Sequence, residues 1–208
     1  ADVRIFYYLG RMYQAEGLYD FALEEYQRLL NNRPDDFEVR MLAAKLLFAS
    51  GRYPQAVREY EAISESHPDD ILVLENLALS RWKNKQDPGP VLEKLAAKGR
   101  AAEFRVRYIS GRIAYENKDY RAAVPPLSRA AAESAGYPDF TDRALLYRML
   151  GDSYVRLRSD PGAIFALTEL LKLEPDNDDA RSQLARLMKA RRRAARENAA
   201  KAKRPAKK

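Results

Sequence analysis

The chain repeats itself at an interval of 34 residues. The stretch from Gly17 to Asp36 reads GLYDFALEEYQRLLNNRPDD, and the stretch from Gly51 to Asp70 reads GRYPQAVREYEAISESHPDD. Glycine, tyrosine, alanine, a second tyrosine, proline and a closing Asp-Asp fall at the same offsets in both. A fixed period in this range is typical of stacked supersecondary units, each of which buries its apolar face only against a neighbour.

Within the first interval, apolar residues recur every three or four positions, which predicts two amphipathic helices. Gly17 lies in the break between them and suits the left-handed turn that ends a helix. Pro34 ends the second helix, and Asp35 or Asp36 can cap the helix that follows. The first helix carries Val3, Phe6, Leu9, Gly10 and Tyr13, and the second carries Leu18, Phe21, Ala22, Tyr26, Leu29 and Leu30.

Two later intervals depart from this pattern. The third has no closing proline, and its second helix is predicted to be short, from about Pro88 to Lys98. The fourth carries Pro125-Pro126, which predicts a kink or a late start of its second helix. An inserted loop, AGYPDFTD at 135–142, then lengthens the step to the fifth interval.

These residues resemble the tetratricopeptide repeat, whose first helix carries an aromatic residue, a Leu-Gly pair and a tyrosine. Small residues, an aromatic residue and a closing proline mark its second helix. The first unit supplies Phe6, Leu9-Gly10, Tyr13, Ala22, Tyr26 and Pro34, and the fifth supplies Tyr147, Leu150-Gly151, Tyr154, Ala163, Leu167 and Pro175. The resemblance implies an all-α fold, a right-handed α-solenoid of about five helix-turn-helix units with a C-terminal capping helix.

The resemblance also divides the chain. The array is predicted at residues 3–177, followed by a capping helix at 178–196 that starts at Asp178 or Asp179, and by a basic tail at 197–208. The five units are predicted near 3–36, 37–70, 71–103, 104–137 and 144–177.

The positive charge is concentrated at the C-terminus. Residues 189–208 carry ten Lys or Arg and one Glu, and the total of +7 less this +9 leaves −2 for the first 188 residues. Three interpretations stay open for this segment: a solvated helix end, weak contact with nucleic acid or an acidic partner, and contact with an anionic surface. It contains no aromatic residue, so base stacking is not expected.

The side chains of enzymes and metal sites are scarce. The chain has no cysteine, His67 is its only histidine, and neither a glycine-rich phosphate loop nor a nucleophile elbow occurs. Paired carboxylates such as Asp69 and Asp70 precede predicted helices, where capping explains them. We therefore predict no catalytic residue, no metal site, no cofactor and no enzymatic activity.

The predicted partner site lies on the first helices. In arrays of this resemblance the first helix of each pair lines the concave face, and here that ridge is rich in aromatic residues and arginine, which anchor interfaces. Packing of some aromatics between neighbouring units is the alternative. The candidate residues are Tyr7, Arg11, Lys45, Phe48, Asn76, Trp82, Arg105, Tyr108, Arg112, Tyr115, Arg148 and Arg156.

The sequence thus predicts a non-enzymatic scaffold or adaptor that binds an acidic or aromatic segment of another protein. The alternative is a protein that associates with nucleic acid or an anionic surface through residues 189–208, and self-association through the irregular third unit is a third option. No apolar run is long enough to span a membrane. The compartment stays open between cytoplasm and bacterial periplasm.

Overall fold

A computed structural model of the chain describes the backbone of residues 4–202 and the side chains of residues 4–197. The regular structure of these residues is helical, and they contain no strand. The predicted array start at Val3 and the end of the basic tail lie outside these residues. The helices are α1 (Arg4–Ala15), α2 (Tyr19–Asn32), α3 (Phe37–Ala49), α4 (Tyr53–Ser66), α5 (Ile71–Lys83), α6 (Gly89–Ala96), α7 (Arg100–Glu116), α8 (Tyr120–Glu133), α9 (Arg143–Arg156), α10 (Asp160–Leu173) and α11 (Asp178–Ala202).

The helices form two compact units, residues 1–106 and residues 107–208, and the division falls within α7. In the first unit, consecutive helices from α1 to α6 pack against one another. In the second unit, α8, α9, α10 and α11 pack in the same sequential manner. This all-helical, pairwise packing is the fold class that the repeat predicts.

The turn inside each helix pair has one backbone geometry. It contains a residue in the left-handed region, which is glycine in the first two pairs and lysine or arginine in the others. In each turn the following amide donates to the carbonyl five residues earlier at 2.8–2.9 Å, the hydrogen bond of a Schellman C-cap. These residues, Gly17, Gly51, Lys85, Lys118 and Arg158, recur at the spacing of the sequence repeat.

A buried tyrosine lies on the second helix of each of the first two pairs. Tyr26 and Tyr60 occupy equivalent positions on α2 and α4, and both are completely buried. Gly10 faces Tyr26, and a Cβ atom built on Gly10 would lie 2.4 Å from the Cε1 atom of the tyrosine ring. Such a distance is far inside van der Waals contact, so the glycine permits the close approach of α1 and α2.

Helix capping follows the predicted aspartates in part. The Asp36 carboxylate accepts from the amide of Val39 at 3.2 Å, and Asp70 accepts from two amides at the start of α5. At α11, however, the cap is Asn177, whose side-chain oxygen accepts from the Ala180 amide at 3.0 Å. The expectation that Asp178 or Asp179 caps this helix is wrong because α11 begins at Asp178 and the preceding asparagine occupies the capping position.

The irregular third and fourth intervals remain helical. The short second helix predicted in the third is α6. The late start predicted in the fourth does not occur, because α8 begins at Tyr120 and Asp119 caps it by accepting from the Ala122 amide at 3.0 Å. The first turn is therefore fixed ahead of Pro125 and Pro126, which lie inside the helix.

Candidate partner-binding groove

The second unit contains an open groove of 560 Å³ beside α9. A volume of this size suits a few side chains of a bound segment. Side chains from α7, α9 and α10 line it, together with residues at the start of α11. We call it the α9 groove, and its lining residues are Tyr115, Arg148, Asp152, Arg156, Leu167, Leu170, Asn177, Asp179, Ala180 and Gln183.

Arg148 is held at one edge of the α9 groove by a carboxylate. Its guanidinium donates to both oxygens of Glu174 at 2.8 Å, and Asn177 donates to the same carboxylate at 2.7 Å. Hydrogen bonds from Asn177 and from Arg148 lower the pKa of Glu174 below its ordinary value. The carboxylate therefore stays ionised and fixes Arg148 as a cation at the groove edge.

Asp152 links two further lining residues. Its carboxylate accepts from the Tyr115 hydroxyl at 3.2 Å and lies 3.5 Å from Nε of Arg156, one helical turn away. The Arg156 guanidinium also lies 5.7 Å from the ring centroid of Tyr120, within reach of a cation–π interaction. These contacts orient Arg156 along the groove and leave much of its surface open to solvent.

The Tyr115 phenol provides a pH test of this geometry. Burial, with the charge and the hydrogen bond of Asp152, raises its pKa from 10.0 to about 12. Because the folded-state pKa is the higher one, the associated stability is complete below pH 10 and is lost as pH rises toward 12. We expect Asp152→Asn to lower the pKa of Tyr115, measured by NMR of ¹³C-labelled tyrosine.

Tyr26 is the internal control for that titration. Its pKa is also raised to about 12, chiefly by burial, and Asp152 is not among the causes. The Tyr26 signal should therefore titrate alike in the native chain and in the Asp152→Asn variant. If both tyrosines shift together, or if neither does, the link from Asp152 to Tyr115 is refuted.

The α9 groove brings together three of the predicted site residues, Tyr115, Arg148 and Arg156. Two others in the second unit are used internally. Tyr108 is completely buried and donates to Asp142 at 2.7 Å, and Arg112 bonds to Glu116 at 3.1 Å. The inserted loop explains the burial of Tyr108, because Phe140 from that loop packs edge-to-face on its ring at 4.9 Å.

In the first unit most of the predicted residues are engaged by their own neighbours. Arg105 is buried and pairs with Glu75 at 3.0 Å. The other aromatic and polar candidates contact their own neighbours: Tyr7 donates to Glu38, Phe48 packs on Tyr53, Asn76 donates to the Leu72 carbonyl, and Lys83 lies over the Trp82 ring. Arg11 and Lys45 are exposed.

Sequence reasoning missed the wall that α11 contributes. Asn177, Asp179 and Gln183 line the groove, and Ala180 is buried against α10. The sequence predicts this helix only as a cap, although it follows a closing proline as α3 and α5 do. Its position in the repeat was the signal that could have identified it as a groove wall.

Metal clusters and membrane-spanning helices are both absent from the described residues. No group of three or more His, Cys, Asp or Glu side chains is arranged to hold a metal ion among them. No helix in the described part of the chain has both the length and the hydropathy needed to cross a membrane.

Comparison with known proteins identifies the repeat. A family profile described as tetratricopeptide repeat matches residues 13–78, which extend from the end of α1 into α5. Helix pairs with the same left-handed turn continue to Leu173. The chain carries tetratricopeptide repeats. No curated protein matches the chain in sequence.

Solved tetratricopeptide-repeat structures share this fold at low identity. A thermophilic protein of this class from Thermus thermophilus, TTC0263, has a TM-score of 0.64 at 18% identity over 89% of this chain and 98% of that chain. The type IV pilus biogenesis factor PilW has a TM-score of 0.65 at 14% identity over 99% of this chain and 95% of that chain. The crystal structure of the APC/C hetero-tetramer Cut9–Hcn1 gives a TM-score of 0.70 at 16% identity. The match covers 91% of this chain and 37% of that chain.

Proposed function

We propose that the chain is a non-enzymatic interaction scaffold that holds an acidic segment of another protein in the α9 groove. Tetratricopeptide-repeat proteins bind other proteins, and stacked helix pairs provide extended surfaces for this purpose. The observation that carries the proposal is the placement of two arginines at the edge of a groove with an apolar floor.

The exposure of the two arginines supports a partner of negative charge. The Arg148 and Arg156 side chains are 53% and 60% exposed, whereas the carboxylates that pair with them, Glu174 and Asp152, are 32% and 29% exposed. Glu174 and Asp152 therefore lie deeper than their arginines and already accept from them, whereas Asp179, on the α11 side of the lining, is exposed. On the α9 side an approaching segment meets the two guanidinium groups first, and these bind carboxylates through parallel hydrogen bonds.

The floor of the α9 groove supports an apolar residue in the partner as well. Leu167, Leu170 and Ala180 are buried beneath it, and Gln183 contributes an amide at its wall. One apolar side chain of a bound segment can lie over the two leucines while a nearby carboxylate reaches Arg148 or Arg156. We therefore expect acidic residues beside an aromatic or aliphatic residue in the partner.

Selection from a random peptide library tests this proposal. We expect the immobilised chain to enrich peptides with Asp or Glu next to an apolar residue. The affinity of the strongest peptide, measured by fluorescence anisotropy, should fall by about tenfold or more in the Arg148→Glu/Arg156→Glu variant, since a charge pair at an interface is replaced by repulsion.

The matched control reverses two arginines outside the groove. Arg121→Glu/Arg129→Glu makes the same change in net charge on exposed positions of α8. This variant should retain the affinity within about twofold, because only screened long-range attraction is altered. Equal losses in both variants, or enrichment of basic peptides, would refute the α9 groove as the site.

A further inference from the structure

Helix α11 carries a row of basic side chains on one face. Its opposite face packs on α10 through Ala180, Leu184 and Leu187. The basic side chains are all exposed, and they follow the spacing three, four and three residues, which places them one helical turn apart. This basic row consists of Arg186, Lys189, Arg193 and Arg196.

The row has an excess of positive charge that its own helix does not neutralise. Between residues 186 and 197 the sequence contains one acid, Glu197, which pairs with Arg193 at 2.7 Å. Arg191 and Arg192 add two more exposed cations to the same segment. At a rise of 1.5 Å per residue the row extends for about 15 Å along the helix. Its four cations are close enough together to contact successive charges of a polyanion.

The side chains between the cations narrow the choice of polyanion. No aromatic residue follows Tyr154 except Phe165 on α10, so the row has no platform on which single-stranded bases could stack. Between Arg186 and Glu197 the non-basic positions are alanine, apart from Glu197 itself, Leu187, which packs on α10, and the exposed Met188. One methionine among alanines provides little apolar surface to anchor in a bilayer, which disfavours a membrane surface.

A helix with small side chains fits the major groove of B-form DNA, which is about 12 Å wide. The major groove of A-form RNA is deep and narrow and does not admit a helix. Arginine predominates in the row, and its planar guanidinium suits two phosphate oxygens at once. We infer that the basic row binds the phosphate backbone of duplex DNA without sequence preference, with α11 in the major groove.

This surface is separate from the α9 groove, because no residue of the row lines that groove. A variant of the row therefore leaves peptide binding intact, and a variant of Arg148 and Arg156 leaves DNA binding intact. The two proposals consequently fail or hold independently of each other.

Salt-dependent binding of the full chain to a mixed-sequence DNA duplex is the test. We expect log affinity to fall linearly with log salt concentration. In the variant Arg186→Gln/Lys189→Gln/Arg193→Gln/Arg196→Gln, this slope should be shallower by about 3.6, since each phosphate contact contributes about 0.9. Affinity at low salt should fall by about hundredfold or more, because four phosphate contacts are removed.

The control neutralises three arginines and one lysine elsewhere. Arg58, Lys94, Arg121 and Arg129 are exposed and lie on other helices, so their replacement by glutamine should leave the slope unchanged. Circular dichroism verifies that both variants retain their helices. Absence of DNA binding at low salt, equal effects of the two variants, equally tight binding of duplex RNA, or row-dependent binding to anionic vesicles in place of DNA would each overturn the inference.

Discussion

Replacing Arg105 by methionine should lower the free energy of unfolding by about 3–5 kcal/mol, because it removes the cation that pairs with a buried carboxylate. The Arg105 and Glu75 side chains are 10% and 8% exposed, and their charged atoms lie 3.0 Å apart. Methionine keeps most of the volume of arginine and removes the charge. Urea denaturation followed by circular dichroism measures the difference.

A double-mutant cycle separates the ion pair from packing. The Arg105→Met/Glu75→Leu variant removes both charges and should be more stable than either single variant, since a buried ion pair replaced by apolar residues is often neutral or stabilising. If the Arg105→Met variant loses less than about 1 kcal/mol, the value typical of a surface pair, then Arg105 is not the buried structural residue described above.

Replacing Gly111 by alanine should destabilise the chain, while the same change at Gly151 should stabilise it. The two glycines occupy equivalent positions on α7 and α9. A Cβ atom on Gly111 would lie 2.6 Å from Cγ of Leu127 and 3.2 Å from its backbone nitrogen, whereas at Gly151 the nearest atom is 3.4 Å away, on Leu167. Only the first distance requires the neighbouring helix to move.

The expected changes in the free energy of unfolding follow from two opposing effects, helix propensity and overpacking. Alanine gains about 1 kcal/mol over glycine within a helix, and overpacking of a buried contact costs about 1–3 kcal/mol. Gly151→Ala should therefore raise the unfolding free energy by up to about 1 kcal/mol, and Gly111→Ala should lower it. Thermal and urea unfolding of both variants measure this contrast. Equal effects of the two substitutions would contradict the prediction, because they would mean that α7 packs on α8 as α9 packs on α10.

The fold was predictable because its determinants are local. The 34-residue period, Gly17 and Gly51 predict helix pairs with a left-handed turn, and the structure has these pairs. Lys85, Lys118 and Arg158 adopt the same left-handed backbone, but their identity gives no sign of it. At these positions the surrounding helices impose the turn, and only the spacing of the repeat indicates where it falls.

The site was predictable only in part because exposure depends on tertiary contacts. The first-helix rule selected Tyr115, Arg148 and Arg156, which share the α9 groove, and equally selected Tyr108 and Arg105, which are buried. An inserted loop covers Tyr108, and a carboxylate one repeat earlier pairs with Arg105. The periodicity of α7, which carries both residues, indicates neither the loop that covers Tyr108 nor the carboxylate that pairs with Arg105.

Hydrogen exchange of the chain with its selected peptide bound tests the central claim most directly. If the α9 groove holds the partner, amide protection should increase on α9 and on the first turns of α11, and the α4 amides should exchange as they do in the free chain. Increased protection confined to the first unit, with α9 unchanged, would contradict the assignment of the partner site.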